Sequence, residues 1–208
     1  MKIKNLLFDL GGVIMDIRRE NAVRALEDLG MADAGSFLGE YAQKGPFLML
    51  ENGSMLPAEF RDTIRRYIPH QVSDGEIDRA FCRFLIGIPE HRLDSLTALR
   101  KSGYRVYMLS NTNPIMWDSV IADEFRKQGH DMDYYFDGEV TSFAARSCKP
   151  DRRIFDTAVS RFGIRPEETL FLDDSQANID AAKTLGFNAA LVAPGSEFID
   201  IIREYTAG

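Results

Sequence analysis

The feature that most constrains the fold is a series of short apolar runs separated by stretches with helical periodicity. The strongest runs cover residues 3–10, 105–110 and 169–172, and weaker ones cover residues 136–140 and 189–192. Continuous apolar runs of this length are typical of strands in a parallel sheet, because helices cover both faces of such a sheet. Strands that alternate with helices predict an α/β fold with right-handed crossovers.

Helical patterns fill most of the intervals between these runs, each with apolar residues at helical spacing. Asn113 and Pro114 form a favourable N-cap and first helical residue. Gly103, Gly163 and Gly186 stand where helices are expected to end. The pattern predicts helices over residues 91–102, 114–127, 151–162 and 175–185.

The stretch of residues 16–89 breaks the alternation, because helical patterns there follow one another without a strand between them. They cover residues 21–29, 57–68 and 73–85, and the last opens with a capping box formed by Ser73 and Glu76. We therefore predict a core domain of residues 1–15 and 90–208 and a helical insertion of residues 16–89. An insertion that leaves the carboxyl end of a strand lies above the sheet edge where α/β proteins bind ligands.

Composition narrows the class of protein. The 208 residues include 25 Lys and Arg against 32 Asp and Glu, a formal net charge of −7, whereas nucleic-acid binding favours a basic surface. Two cysteines are too few for a disulfide scaffold. The apolar runs are too short to cross a bilayer, and the amino terminus does not resemble a signal peptide. We expect a cytoplasmic protein without nucleic-acid or membrane partners.

Polar residues that carry chemistry stand at the ends of the predicted strands and at the start of a helix. Asp9 follows the first strand, Ser110 and Asn111 end the second, and Asp173 and Asp174 end the third. Because the carboxyl ends of parallel strands meet at one edge of the sheet, we expect these side chains to converge. Lys149, which precedes Pro150 at the start of a predicted helix, joins the same group.

Three clustered carboxylates repel one another unless a cation lies between them. Mg²⁺ prefers oxygen ligands and often shares them with a substrate phosphate. A hydroxyl, an amide and a lysine are donors that suit phosphoryl oxygens, and Gly11 and Gly12 allow the backbone to turn tightly beside a ligand. The group therefore favours a magnesium site that binds a phosphorylated molecule, and local charges would offset the negative charge of the chain.

These four segments, in this order, resemble the four sequence motifs of the haloacid dehalogenase superfamily, and the resemblance covers nearly the whole chain. It implies a Rossmann-like core and relates the insertion to the helical cap of the first cap class. Residues 8–14 and 110–113 are most similar to a bacterial branch that includes an α-D-glucose-1-phosphate phosphatase. The resemblance implies a Mg²⁺-dependent phosphatase that acts on a small phosphorylated metabolite, with sugar phosphates favoured.

The resemblance also implies roles for the acidic residues and the first glycine. Asp9 is the expected nucleophile, which attacks phosphorus to give an aspartyl-phosphate and contacts Mg²⁺ with its other oxygen. The backbone carbonyl of Gly11 is expected to be a further ligand. Asp174 is expected to bind the metal directly and Asp173 through water.

Three further residues are expected to hold the phosphoryl group. Ser110 and the backbone of Asn111 would bind one of its oxygens. Lys149 would neutralise the charge that develops on it and steady Asp9. Catalysis of this kind consists mainly of positioning and electrostatic stabilisation.

One position departs from the family pattern and leaves alternatives open. Phosphatases of the family usually carry a second aspartate two residues after the nucleophile as general acid and base, but here that residue is Gly11. Asp16, Glu51 or the substrate are candidates to replace it. The chain could instead be a dehalogenase that uses Asp9 without metal, or a homologue that binds a phosphorylated metabolite or a protein without turnover. Asp173 and Asp174 favour the phosphatase, because the dehalogenases lack this acidic pair.

The segment of residues 43–53 is rich in large apolar side chains and lies between predicted helices of the insertion. It has two interpretations. Its residues pack within the insertion, or Phe47 and Glu51 face the carbon skeleton and hydroxyls of a substrate. The sequence does not decide which residues point toward the sheet.

Overall fold

The computed structural model describes residues 2–39 and 42–206, and its centre is a five-stranded parallel sheet. The strands in chain order are β1 (Asn5–Phe8), β2 (Asp16–Ile17), β3 (Leu85–Gly87), β4 (Arg105–Ser110), β5 (Gly138–Thr141), β6 (Thr169–Asp173) and β7 (Asn188–Leu191). The sheet has the order β5-β4-β1-β6-β7, and every neighbouring pair is parallel. The predicted α/β fold is confirmed.

Helices flank the sheet and fill the insertion. They are α1 (Arg19–Asp28), α2 (Ala34–Phe37), α3 (Gly45–Glu51), α4 (Pro57–Arg65), α5 (Asp74–Cys82), α6 (Glu90–Lys101), α7 (Pro114–Met116), α8 (Ala122–Arg126), α9 (Met132–Tyr135), α10 (Ser142–Ala145), α11 (Arg152–Phe162), α12 (Gln176–Thr184) and α13 (Phe198–Thr206). A π-helix (Trp117–Ile121) joins α7 to α8, and a 3₁₀-helix (Pro166–Glu168) precedes β6. Among the described residues, no helix is both long enough and apolar enough to span a membrane.

Alternation of side chains along the strands builds an apolar layer on each face of the sheet. In β1, Leu6 and Phe8 belong to one buried cluster and Leu7 to the other. Helices α6 and α13 cover the first face, and α11 and α12 cover the second. Both faces of β1 are therefore buried, which explains why the run that contains it is apolar throughout.

The helical insertion begins and ends at a two-stranded ribbon, in which β2 pairs antiparallel with β3. Its centre is aromatic, since the ring centroids of Phe47, Phe60 and Phe81 lie 5.0 to 5.5 Å apart. These rings belong to the same buried cluster as the first face of the sheet, so the insertion packs directly onto the core. The division at residues 16 and 89 stays a prediction.

The structure differs from the predicted elements mainly where the chain enters or leaves the insertion. The helix predicted over residues 73–85 ends at Cys82, because residues 85–87 pair with β2 instead. The single helix predicted over residues 114–127 contains the π-helical segment. Five helices were not predicted, namely α2, α3, α9, α10 and α13. The capping box of Ser73 and Glu76 and the N-cap of Asn113 are confirmed.

Candidate active site

Three adjacent strands bring the predicted site residues to one edge of the sheet. Strand β1 lies between β4 and β6, so Asp9 lies between the ends that carry Ser110 and Asp173. Lys149 comes from the loop before α11. One cavity is lined by six of the predicted residues, which are Asp9, Gly11, Ser110, Asn111, Lys149 and Asp174. Asp173 is fully buried next to them.

Lys149 is the buried cation of the site. Its Nζ lies 2.8 Å from Oδ1 of Asp9 and 2.7 Å from Oδ2 of Asp173, and its side chain has no exposed surface. Burial by itself would lower the pKa of Lys149, but the charges of Asp173 and Asp9 outweigh burial and raise it. Lys149 therefore keeps its charge and holds the two carboxylates in place.

Burial and two neighbouring carboxylates disfavour the ionised form of Asp9, and Lys149 offsets these effects only in part. Its Oδ1 accepts hydrogen bonds from the backbone N–H of Leu10, at 2.7 Å, and from Lys149. Burial, together with the charges of Asp173 and Asp174, raises the pKa of Asp9 to about 8 despite Lys149. A carboxylate in this position is stabilised by a further cation.

The carboxylate cluster has the composition and spacing of a metal site. Oxygens of Asp9, Asp173 and Asp174 lie within 4.8 Å of one another, and a set of carboxylate oxygens suits a hard divalent cation such as Mg²⁺. Gly12 makes room for the cluster: its φ is +73°, and a Cβ there would lie only 2.1 Å from Oδ2 of Asp174. The expected tight glycine turn beside the ligand site is therefore confirmed at Gly12.

Asp173 uses both of its oxygens within the protein. Oδ2 accepts from Lys149, and Oδ1 accepts from the backbone N–H of Ser175, at 2.8 Å, and from Nδ2 of Asn178, at 2.9 Å. These bonds orient Asp173 toward Lys149, which suits the predicted contact with a metal through water. The orienting role of Asn178 was not predicted, although its position in the first turn of α12 placed it near the site.

Asn111 joins the end of β4 to the segment that carries Lys149. Its Oδ1 accepts from the backbone N–H of Lys149 at 2.8 Å, and its Nδ2 donates to the carbonyl of Lys149 at 3.0 Å. The side chain is therefore committed to the protein, and the binding of a phosphoryl oxygen by the backbone of Asn111 stays a prediction. Oγ of Ser110 makes only a long hydrogen bond, 3.4 Å, to the carbonyl of Asn111.

The insertion contributes Glu51 to the same cavity. Glu51 is 8% exposed, and burial raises its pKa to about 7, although a hydrogen bond with Cys148 and the charge of Lys149 act in the other direction. Burial and the nearby Glu51 raise the pKa of the Cys148 thiol to about 12, so Cys148 stays protonated.

Phe47 and Asp16, two other candidate residues, contact parts of the protein outside the carboxylate cluster. Phe47, which one interpretation placed against the substrate, packs with Phe60 and Phe81 and is 1% exposed. Asp16, a candidate for activating water, accepts a 2.8 Å hydrogen bond from Arg92 on α6. The contacts of Phe47 support the interpretation in which it packs within the insertion, and a role of Asp16 in activating water stays a prediction.

A buried aspartate and lysine beside an acidic pair, at neighbouring strand ends of a parallel sheet, match the arrangement that the four motifs predict for a hydrolase. Residues 3–186 match the family model of the haloacid dehalogenase-like (HAD) hydrolases, and the chain belongs to this family. The resemblance inferred from the four motifs is confirmed. The narrower relation to the glucose-1-phosphate phosphatase branch stays a prediction.

Similar proteins include both a characterised enzyme and solved structures. The chain is 38% identical to the D-ribitol-5-phosphate phosphatase of Bacteroides thetaiotaomicron, over 94% of this chain and 95% of the relative. The crystal structure of a wild-type HAD family enzyme from that organism, in complex with magnesium and inorganic phosphate, is 37% identical. It has a TM-score of 0.90 and covers 97% of this chain and 100% of that one. A predicted HAD-like family hydrolase from Porphyromonas gingivalis has a TM-score of 0.90 at 35% identity, with 99% and 98% covered.

Proposed function

We propose that the protein is a Mg²⁺-dependent phosphatase that hydrolyses a small phosphorylated metabolite, with sugar and sugar-alcohol phosphates favoured. The observation that carries the proposal is the cluster of Asp9, Asp173 and Asp174, in which Asp9 and Asp173 pair with one buried lysine. The similarity to a sugar-alcohol phosphatase, and to a family enzyme that holds magnesium and phosphate, supports both the metal and the substrate class.

In the proposed reaction, Asp9 attacks phosphorus and forms an aspartyl-phosphate, which water then hydrolyses. Asp9, Asp174 and the carbonyl of Gly11 would bind Mg²⁺ directly. Asp173 would bind it through water. The bound metal supplies positive charge against the phosphoryl oxygens. Lys149 keeps Asp9 oriented for attack and contributes a second positive charge at the phosphoryl group.

Ser110 and the backbone of Asn111 would bind a phosphoryl oxygen opposite these positive charges. The long hydrogen bond of Ser110 is weak, so a phosphate oxygen can replace its acceptor at little cost. We call residues 110–112, at the end of β4, the phosphate-binding loop. The two hydrogen bonds between Asn111 and Lys149 keep this loop and the lysine at a fixed separation. Preorganised donors of this kind lower the barrier without rearrangement during the reaction.

Two other functions belong to the same family fold. A dehalogenase would use Asp9 without metal, and a non-catalytic homologue would bind phosphorylated metabolites without turnover, since Gly11 provides no acid or base. The acidic pair favours the phosphatase over the dehalogenase. The cytoplasmic location stays a prediction from the sequence.

The test is a screen for phosphate release from pentitol phosphates, hexose 1-phosphates and triose phosphates, with Mg²⁺ and with chelator. We expect turnover with Mg²⁺ only, and a loss of turnover in Asp174→Asn but not in the matched control Asp180→Asn, which changes an exposed residue of α12. Halide release from 2-haloacids with chelator present would favour the dehalogenase. Binding of phosphates without release would favour the non-catalytic homologue.

Metal binding has a readout that does not depend on turnover. A ligand that binds only the folded state at one hundred times its Kd stabilises a protein by about 2.7 kcal/mol. We expect Mg²⁺ to raise the unfolding free energy of the wild-type protein and of Asp180→Asn, and to have much less effect on Asp174→Asn. Equal stabilisation of all three proteins by Mg²⁺ would mean that Asp174 is not a metal ligand.

A further inference from the structure

The proposed reaction needs a proton donor and acceptor that its usual position does not provide. An alkyl phosphate expels an alkoxide, which must be protonated as it leaves, and the water that hydrolyses the aspartyl-phosphate must lose a proton. Gly11 stands two residues after Asp9 and has no side chain to do either. General acid–base catalysis is worth about 10²–10⁴ in rate, so a replacement would matter.

The cavity offers few groups for this work. The carboxyl side chains among the described residues that line it are those of Asp9, Asp174 and Glu51. Asp9 is the proposed nucleophile, and Asp174 is a proposed metal ligand. Glu51 has no role in binding the metal or the phosphate, and it alone comes from the insertion rather than from the sheet edge.

Glu51 is held firmly against the core although it belongs to the insertion. Its backbone carbonyl accepts a 2.7 Å hydrogen bond from Oγ of Ser142, which in turn accepts from the N–H of Thr112 in the loop after β4. Gly53 lies so close to the carbonyl of Phe143 that a Cβ there would come within 2.2 Å of it. These contacts fix the end of α3 next to the phosphate-binding loop.

Glu51 also lies on the side of the cavity where proton transfer is needed. In an in-line displacement the attacking and leaving oxygens lie on opposite sides of phosphorus. Asp9 attacks from the sheet, so the leaving group departs toward the insertion, which is the element that carries Glu51. The water that later attacks the aspartyl-phosphate in line must approach from that same side.

We propose that Glu51 is the general acid and base of the reaction, a role that rests on the proposed phosphatase function. In the first step an oxygen of Asp9 bonds to phosphorus, the bond from phosphorus to the leaving oxygen breaks, and the Glu51 proton passes to that oxygen. In the second step Glu51 takes a proton from water as the water oxygen bonds to phosphorus. The bond to Asp9 breaks, which releases inorganic phosphate, the free Asp9 carboxylate and protonated Glu51.

The environment of Glu51 suits both steps near neutral pH. Its pKa of about 7 results first from burial, which Cys148 and Lys149 only partly oppose. Cys148 and Lys149 reach it from the loop before α11, Asp9 and Asp174 share its cavity, and its own helix α3 has no other charged residue. A catalytic acid and base works best with a pKa near the working pH.

The test compares Glu51→Gln with the wild-type protein on two leaving groups. The substrates are the alkyl phosphate that the wild-type protein hydrolyses fastest and p-nitrophenyl phosphate, whose leaving group departs without a proton. We expect kcat of the variant on the alkyl phosphate to fall by about 10²–10⁴. On p-nitrophenyl phosphate we expect a burst of about one nitrophenolate per chain and then slow turnover, because only the hydrolysis step lacks its base. The control Glu27→Gln, an exposed residue of α1, should behave as wild type.

Several results would overturn this role while the phosphatase function stands. They are an unchanged kcat on the alkyl phosphate, an equal loss on both substrates without a burst, or a change confined to KM, which would indicate hydroxyl binding. A wild-type protein that hydrolyses no phosphate would overturn both proposals.

The wild-type protein provides a second measurement should Glu51→Gln fail to fold. The protonated acid disappears as pH rises through the pKa of Glu51. The rate of the first turnover of the alkyl phosphate should therefore fall above about pH 7, whereas that of p-nitrophenyl phosphate should not. Parallel pH profiles for the two substrates would contradict the proposal.

Discussion

Lys149 organises the site at the scale of single residues. It is a fully buried cation between two carboxylates, and its backbone is fixed by both polar atoms of the Asn111 side chain. A buried charge is tolerated only where its partners are close and well oriented. The contacts that orient Asp9 therefore also contribute to the stability of this edge of the sheet.

Removal of the Lys149 charge should destabilise the protein as well as inactivate it. Lys149→Met leaves Asp9 and Asp173 buried without their partner, and loss of one member of a buried pair costs about 3–5 kcal/mol. We expect a loss of this size in the free energy of unfolding measured with urea.

A double variant separates charge from packing. Lys149→Met leaves two buried carboxylates without a cation, and Asp173→Asn removes the charge of one of them. The double variant should therefore be more stable than Lys149→Met alone. If the double variant is the less stable of the two, the loss comes from packing and hydrogen bonding, and the electrostatic explanation is wrong.

The residue scale also shows what the sequence could not reveal. Motif positions were enough to bring Asp9, Ser110, Lys149 and Asp174 to one cavity, because strand ends converge in any parallel sheet. The hydrogen bonds that Asp173 accepts from Ser175 and Asn178 were not predicted, because they are visible only in the three-dimensional structure.

At the scale of elements, the contact between the end of α3 and the segment after β5 fixes the insertion over the site. Ser142 donates to the carbonyl of Glu51, and Gly53 packs against the carbonyl of Phe143. Each contact has a backbone carbonyl as one partner, and each depends on a close approach of the two segments.

Gly53→Ala tests this contact, with Gly103→Ala as its matched control. Both glycines have positive φ, at 71° and 93°, so each alanine brings a backbone cost of about 1–2 kcal/mol. Only at Gly53 does the new Cβ also collide with another segment, whereas Gly103 has nothing within 4 Å. We expect Gly53→Ala to be the less stable protein in urea unfolding and to lose phosphatase activity, and Gly103→Ala to keep its activity. Equal effects of the two changes would mean that this contact does not matter.

Elements that local sequence determines were predicted more accurately than elements that depend on contacts between distant parts of the chain. Strand β4 has the predicted bounds, because a buried parallel strand is recognisable from its own apolar residues. Strand β3 was not predicted, and its first residue, Leu85, was taken as the end of a helix. The strand forms only through pairing with β2, about seventy residues earlier in the chain. Helix α3 was missed because Gly45 and Pro46 at its start are typical of turns, and buried Phe47 and Leu50 stabilise it through tertiary packing.

At the scale of the whole molecule, Arg92 joins three distant parts of the chain. Its guanidinium makes two 3.0 Å hydrogen bonds to Glu197 before α13, and it also reaches Asp16 at the start of the insertion and the carbonyl of Ile14. Hydrogen bonds from Arg92 hold the pKa of Glu197 below its usual range. The core, the insertion and the carboxyl-terminal helix therefore share one ion-pair network.

This network predicts a pH dependence of stability. A carboxylate with a lowered pKa stabilises the folded state above its ordinary value, about 4.3, and that contribution disappears as pH falls through the folded pKa. We expect Glu197→Gln to cost about 1 kcal/mol near neutral pH and progressively less below about pH 4.3. Urea unfolding across this range provides the measurement, with Glu204→Gln, an exposed residue of α13, as the control. A cost that stays constant with pH would contradict the assignment.

The net charge of −7 does not by itself oppose the binding of an anionic substrate. Three of the acidic residues belong to the candidate metal site, and one buried lysine faces them. Surface charges are screened within about 8 Å at physiological salt, so the charges inside the cavity govern the binding of an anion. An acidic chain is therefore compatible with a phosphorylated substrate.

The most direct test of the account is to trap the phosphorylated enzyme. The Mg²⁺-loaded protein is mixed with a phosphate that it hydrolyses, quenched in acid within the first turnovers, and mapped by mass spectrometry. The account predicts a phosphoryl group on Asp9 that hydroxylamine removes and that is absent from Asp9→Asn. With p-nitrophenyl phosphate as the substrate, it also predicts that this group accumulates in Glu51→Gln. Steady phosphate release without any label on Asp9, or with the label on another residue, would contradict the account.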